Sequence, residues 1–137
     1  MAAQSGTLKA LRAASKGLLY PSESDRPVKA FTWTADQAKG AISGAEAVAA
    51  VTSVPPGRIK EGALADFFQP VTTPQPWHSD EEKVTLRRFQ ELEKTLTATL
   101  QDPKAYRAEG GTTIDAYVVG KDADGNWSGV STQLVET

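Results

Sequence analysis

Few residues in this chain could do chemistry, and their spacing narrows what that chemistry is. Asp80, Glu81 and Glu82 stand in a row. Paired carboxylates can act as general acid and base in glycoside hydrolysis, which needs two of them roughly 5–9 Å apart across a cleft. Solvated acids favoured by the dipole at a helix start explain the same run without catalysis. His78 is the single histidine, so a Ser-His-Asp site would have to use it and a multi-histidine metal site is excluded. Asp122-x-Asp124-x-Asn126 opens like a calcium loop, but its sixth position is Trp127 instead of glycine and its twelfth is Gln133 instead of an acid. A plain hairpin turn accounts for it. Gly120-Lys121 is no phosphate loop, because Asp115 occupies the place of the first glycine. Gly110-Gly111 opens no helix, which excludes a dinucleotide fingerprint. There is no cysteine, hence no disulfide scaffold, thiolate zinc site, iron–sulfur cluster or cysteine nucleophile.

Composition narrows the class further. The 137 residues, 39% hydrophobic and 23% charged, suit one domain (1–137) with one core and no staples. The net charge is −2, distributed unevenly. Residues 1–30 carry +3, whereas 61–100 and 101–137 each carry −3. Between 61 and 82 stand Glu61, Asp66, Asp80, Glu81 and Glu82 without a base. A nucleic-acid face needs clustered Lys and Arg, so direct nucleic-acid binding is not expected. An acidic half suits a basic partner. No apolar run reaches the ~20 residues that span a bilayer, and no signal-peptide pattern opens the chain, so the expectation is a cytoplasmic protein without membrane contact.

The elements that position these residues read as follows. Ser5 caps a helix to about Leu19, with Leu8, Leu11, Ala14 and Leu18 on one face, and Pro21 ends it. Pro21 to Pro27 is an exposed loop. Val28 to Thr34 is a strand with Phe31 and Trp33 on one face and Lys29 between. Residues 36–56 are the least informative; Ser43 caps an Ala-rich helix through Ala50, broken at Pro55-Pro56-Gly57. Ala63 to Phe68 is a helical turn under a sheet, and Pro70 to Trp77 a stiff extended loop. Ser79 and Glu82 form a capping box for a helix whose stripe is Leu86, Phe89, Leu92, Leu96 and Leu100, stopped by Asp102-Pro103. Tyr106 begins a short strand. Thr113–Lys121 and Trp127–Glu136 make a hairpin across a turn at residues 122–126. The whole predicts an α+β fold, helices packed on a mostly antiparallel sheet.

One run of residues goes beyond composition. Gly17-Leu18-Leu19-Tyr20-Pro21-Ser22-Glu23-Ser24-Asp25, Asp66-Phe67-Phe68, Thr72-Thr73-Pro74-Gln75-Pro76-Trp77 and Asp80-Glu81-Glu82 continue into Tyr117-Val118-Val119-Gly120 and Gly129 to Thr137. In order and spacing these resemble the nuclease A inhibitor family, over about residues 8–34 and 63–137, with 35–62 matching poorly. The resemblance implies an α–β–α sandwich similar to pathogenesis-related proteins. It also implies a cytoplasmic protein inhibitor, not an enzyme, of a sugar-nonspecific ββα-metal DNA/RNA nuclease. The chain would be monomeric when free, form a 1:1 complex and carry no cofactor of its own.

The implied contact residues are Glu23, Trp77 and Thr137, flanked by Ser22, Ser24, Asp25, Gln75 and Glu136. Where the family commonly has an acid before the tryptophan, this chain has Pro76. In that reading Thr137 stands in for substrate phosphate at the partner's Mg²⁺, the only metal contact and one made in trans. Glu23 pairs with a cleft Arg or Lys, and Trp77 is a rigid anchor. Other readings of the same residues are a solvated Glu23, an idle chain end, and a Trp77 packed on Phe67 or Phe68. Two other functions compete: a binding module of the same fold for another basic partner, and a small hydrolase using His78 with carboxylates.

Overall fold

The computed structural model describes residues 6–21, 25–109 and 113–135. The first helix, α1, spans Gly6–Ser15 and buries Leu8, Leu11 and Ser15. It does not continue to Leu19 as expected. Ser15 turns its hydroxyl back onto the Leu11 carbonyl at 2.7 Å, and Gly17 sits at φ +76°, a left-handed conformation glycine adopts without steric cost. Gly17, not Pro21, stops the helix. The residues this releases, Leu19–Tyr20 (β1), pair antiparallel with Arg26–Pro27 (β2). The expected cap Ser5 lies outside the described residues. The predicted strand is present as β3, Lys29–Trp33. Its alternation places Lys29 on the face shared by Phe31 and Trp33, not between them.

The middle of the chain holds more structure than its sequence signalled. Ser43 caps α2, Gly44–Thr52, by accepting the Glu46 N–H at 3.2 Å. A Cβ on Gly44 would lie 2.7 and 2.8 Å from ring carbons of Tyr106, so a larger residue there would force the helix or the Tyr106 ring to move. A 3-10 turn at Pro56–Arg58 leads into an unforeseen strand, β4, Ile59–Gly62. This strand exposes three of its four residues and has no apolar alternation to betray it. The helical turn expected near Ala63–Phe68 is a full helix, α3, Leu64–Thr72, with Pro70 inside it and not in an extended loop. Proline forfeits one helical hydrogen bond. Burial of Phe68 and Val71, and a Thr72 hydroxyl donated to the Phe68 carbonyl at 2.8 Å, outweigh that loss.

The long helix α4, Asp80–Thr99, forms as read, with both bonds of the capping box present. The Ser79 hydroxyl accepts the Glu82 N–H at 3.1 Å, and the Glu82 carboxylate accepts the Ser79 N–H at 2.8 Å. Asp102-Pro103 is not its stop. The helix ends at Thr99, and that pair lies inside β5, Gln101–Ala108, which is longer than the short strand expected from Tyr106. Pairing of β5 with β6, Thr113–Lys121, slips between Gln101 and Lys104, where Asp102 takes φ +47°. The strand absorbs the proline as a bulge.

β6 and β7, Trp127–Val135, form the predicted hairpin. Its turn explains the aspartate run. The buried Asp122 carboxylate accepts the N–H groups of Asp124 (2.9 Å) and Asn126 (3.0 Å) with one oxygen. Its other oxygen accepts the Ser128 hydroxyl at 2.7 Å, which lies 2.9 Å from the Thr32 hydroxyl. The carboxylate is a turn brace, with its oxygens taken by the fold.

Among the described residues, five strands form one antiparallel sheet in the order β3-β7-β6-β5-β4. Helices cover both faces. Leu11, Phe68, Phe89, Leu92 and Leu96 of α1, α3 and α4 pack on Val118, Val130 and Leu134. Ala47 and Val48 of α2 pack on the opposite face, against Trp33, Tyr106, Val119 and Trp127. Neighbours Val118 and Val119 thus serve different cores, as strand alternation requires. This is the expected α+β sandwich.

Glycine is essential at one point of β7. A Cβ on Gly129 would run into the Val118 carbonyl, 2.8 Å from its carbon. Gly129→Ala should therefore cost about 2 kcal/mol or more. Gly125→Ala, in open space at φ +81° in the turn, should cost about 1–2 kcal/mol through backbone strain alone. Urea unfolding of the two variants gives both values.

Candidate partner-binding site

Three chain segments reach the same end of the sandwich. β7 ends there, with Val135 opposite Thr113. The β1–β2 hairpin is held beside it by the Thr132 hydroxyl, donated to the Arg26 carbonyl at 3.3 Å. Tyr20 secures the hairpin from beneath. Its hydroxyl donates to the Phe67 carbonyl at 2.6 Å, and its ring stacks on Phe67 at 4.6 Å and meets the edge of Phe89 at 6.2 Å. The third segment follows α3. α4 runs directly into β5 at the opposite end, where Gln101 pairs with Lys121, so its first turn and the loop before it return to the β7 terminus.

That loop has a definite shape. The Gln75 carbonyl accepts the His78 N–H at 3.2 Å, and His78 Nδ1 accepts the Gln75 N–H at 3.3 Å. Pro76 and Trp77 are the two corner residues, with proline at the position its fixed φ suits best. Trp77 is left 73% exposed, with its ring edge-on to His78 at 6.2 Å between centroids. It does not pack on Phe67 or Phe68, which lie against Tyr20 and each other. An isolated exposed tryptophan on a braced turn has the geometry of an interface anchor.

The other expected contacts divide into two groups. Asp25 is exposed at the foot of the hairpin tip, and Gln75 is half-buried in the turn. Ser22, Glu23, Ser24, Glu136 and Thr137 lie outside the described residues. His78 is placed against a triad role: Nδ1, which would have to donate to a carboxylate, is instead an acceptor. Among the described residues no cluster of His, Asp and Glu could hold a metal ion, and no helix is long and apolar enough to cross a membrane.

Sequence reasoning missed the groove between the hairpin and α4. Its volume is about 450 Å³. Leu18, Val71, Leu86 and Phe89 form its floor, and Asp25, His78, Glu81 and Glu82 reach its rim. The signal was present but ambiguous, since Leu86 and Phe89 read as core and the acids as helix-capping charge. A smaller polar recess of about 260 Å³, between Lys29, Asp115, Tyr117 and Ser131, lies on the part of the sheet not covered by α2.

The family model for nuclease A inhibitor-like proteins matches residues 5–137. The chain belongs to this family. The match runs through residues 35–62, which the sequence reading had set apart as divergent; α2 and β4 are therefore part of the inhibitor-like domain. No curated protein matches the chain. The family is named for its likeness to a nuclease A inhibitor.

Titration offers a check on both ends of this inhibitor-like fold. Hydrogen bonds from the Ser79 backbone and hydroxyl hold the Glu82 carboxyl below its usual range. The capping box therefore contributes stability above the ordinary glutamate value, and that contribution is lost as pH falls through the lowered one. The carbon resonance of the Glu82 carboxyl should show a midpoint below 4.5. Burial raises all three tyrosines, Tyr20, Tyr106 and Tyr117, and pushes Tyr106 to about 12, helped by Glu61 and Asp102. Stability should hold below pH 10 and fall as pH rises toward 12. Phenolate absorbance of the native protein should lag that of the urea-unfolded chain throughout.

Proposed function

We propose that this protein inhibits a sugar-nonspecific, metal-dependent DNA/RNA nuclease of the ββα-metal kind by plugging its substrate cleft. The observation that carries the reading is the convergence at one end of the fold of an exposed, proline-braced Trp77, the β1–β2 hairpin and the end of β7. A nuclease must present cations to a phosphodiester backbone. Glu23, between Tyr20 and Arg26 in the sequence, supplies a carboxylate for one of them. Glu136 and Thr137, which follow β7, supply oxygens toward the catalytic Mg²⁺ in place of substrate phosphate. Mg²⁺ takes oxygen ligands and keeps exchangeable waters, so such a plug needs no covalent step. Trp77 fixes the docking angle, and Ser22, Ser24, Asp25 and Gln75 add polar contacts to the partner. Pro76, in place of the family's acid, exchanges one polar contact for a stiffer turn and so lowers the ordering cost of binding. The complex is 1:1, and the free inhibitor is a monomer.

The test is DNA digestion by a ββα-metal nuclease titrated with the protein. Deleting Glu136 and Thr137 should weaken inhibition strongly and leave thermal unfolding unchanged. Normal inhibition by the truncated protein rules out contact with the metal. Glu23→Ala should cost about 2 kcal/mol or more where its partner charge is buried, and far less at a rim. Trp77→Ala should weaken inhibition with unfolding stability held within about 0.5 kcal/mol, since that ring is not in the core. Inhibition should also weaken as salt rises.

A further inference from the structure

The groove beside the hairpin has a composition that selects its occupant. Its floor is apolar and buried: Leu18, Val71, Leu86 and Phe89 are each less than 10% exposed. Its rim is acidic. Asp25 and Glu81 are exposed and form no ion pair among the described residues. Glu82, beside them, is kept ionised by Ser79. Among the described residues, Arg88 is the one cation lining the groove, and it donates to the Ala14 carbonyl at 3.2 Å. At about 450 Å³ the groove falls within the size range of ligand clefts, roughly 300–1,000 Å³. A neutral apolar group would satisfy the floor and strand the acids. A small cation would meet the acids and leave the floor wet. A long basic side chain satisfies both, laying its stem on hydrocarbon and its charge at the rim.

We infer that this groove receives an arginine side chain of the partner nuclease, at a contact separate from the one made by Glu23. Arginine is favoured over lysine because a planar guanidinium can donate to two carboxylates at once and stack on the imidazole of His78. The contact lies between the β1–β2 pair and the first turns of α4. The inference rests on the proposed inhibitor reading for the identity of the partner, but the chemistry of the groove can be examined without the nuclease.

The direct test is an NMR titration of the full chain with N-acetyl-arginine amide, using N-acetyl-norleucine amide as the neutral control. Arginine amide should shift the amides of Leu18, Thr85 and Leu86 in a saturable way. Norleucine amide should not. The double variant Asp25→Lys/Glu81→Lys, and separately Thr85→Trp, which fills the groove without changing charge, should each abolish the shifts. In the nuclease assay the same variants should raise the inhibition constant at least tenfold. Asp36→Lys/Asp124→Lys, an equal charge change elsewhere, should alter it less than twofold. Shifts that are absent, spread over all surface acids, or equal for norleucine amide overturn the groove. If wild-type protein inhibits while arginine amide leaves the groove unshifted, the inhibitor reading stands and the arginine contact falls. If arginine amide binds the groove but no nuclease is inhibited, the reverse holds.

Discussion

The structure depends on β7 being held along both edges. Each of its nine residues pairs with β6, and five also pair with β3. Such a strand has no freedom of register. A slip of one residue would exchange Val130, Thr132 and Leu134 for Ser131, Gln133 and Val135 on the face that meets α1 and α4. The Asp122 brace sets one end of the register and the contact of Thr132 with the Arg26 carbonyl sets the other. With β7 locked, the hairpin beside it and the residues that follow it have defined positions.

The interface end is built from short polar segments, each tied back to a rigid element. Tyr20 couples the hairpin to α3 through a hydrogen bond and a ring stack. The turn at Gln75–His78 is closed by two backbone N–H groups and an imidazole, and leads straight into the capping box of α4. Loops fixed in this way lose little entropy on docking. Glu81 and Glu82, in the first turn of α4, sit where the helix dipole favours acids and also line the rim of the groove.

Much was legible before the fold was known, and the exceptions share a cause. The α4 stripe, the Ser43 cap, the Phe31–Trp33 strand and the β6–β7 hairpin all carry local periodicity or cap chemistry. β4 carried none, because this four-residue edge strand exposes Lys60, Glu61 and Gly62 and buries no face that would impose alternation. Pro70 and Asp102-Pro103 were read as breakers because proline's local cost is certain, whereas the packing that repays it is non-local. The end of α1 was set by Gly17, whose left-handed backbone becomes decisive only once Leu18 and Tyr20 have partners to pair with.

For the site, the sequence alone determined the chemistry on offer: one histidine, no cysteine, an acidic half, a proline-flanked tryptophan and a chain that resembles a family of nuclease inhibitors. It could not determine proximity. Tyr20 meets Phe67 and Arg26 meets Thr132 only because the packed layers bring those segments together, and the groove exists only because α4 returns its first turn to the hairpin. Side-chain type is a property of the chain, but exposure and juxtaposition are properties of the packed layers. The exposure of Trp77, which could have been core, and the place of His78 as a turn brace were therefore decided by tertiary structure.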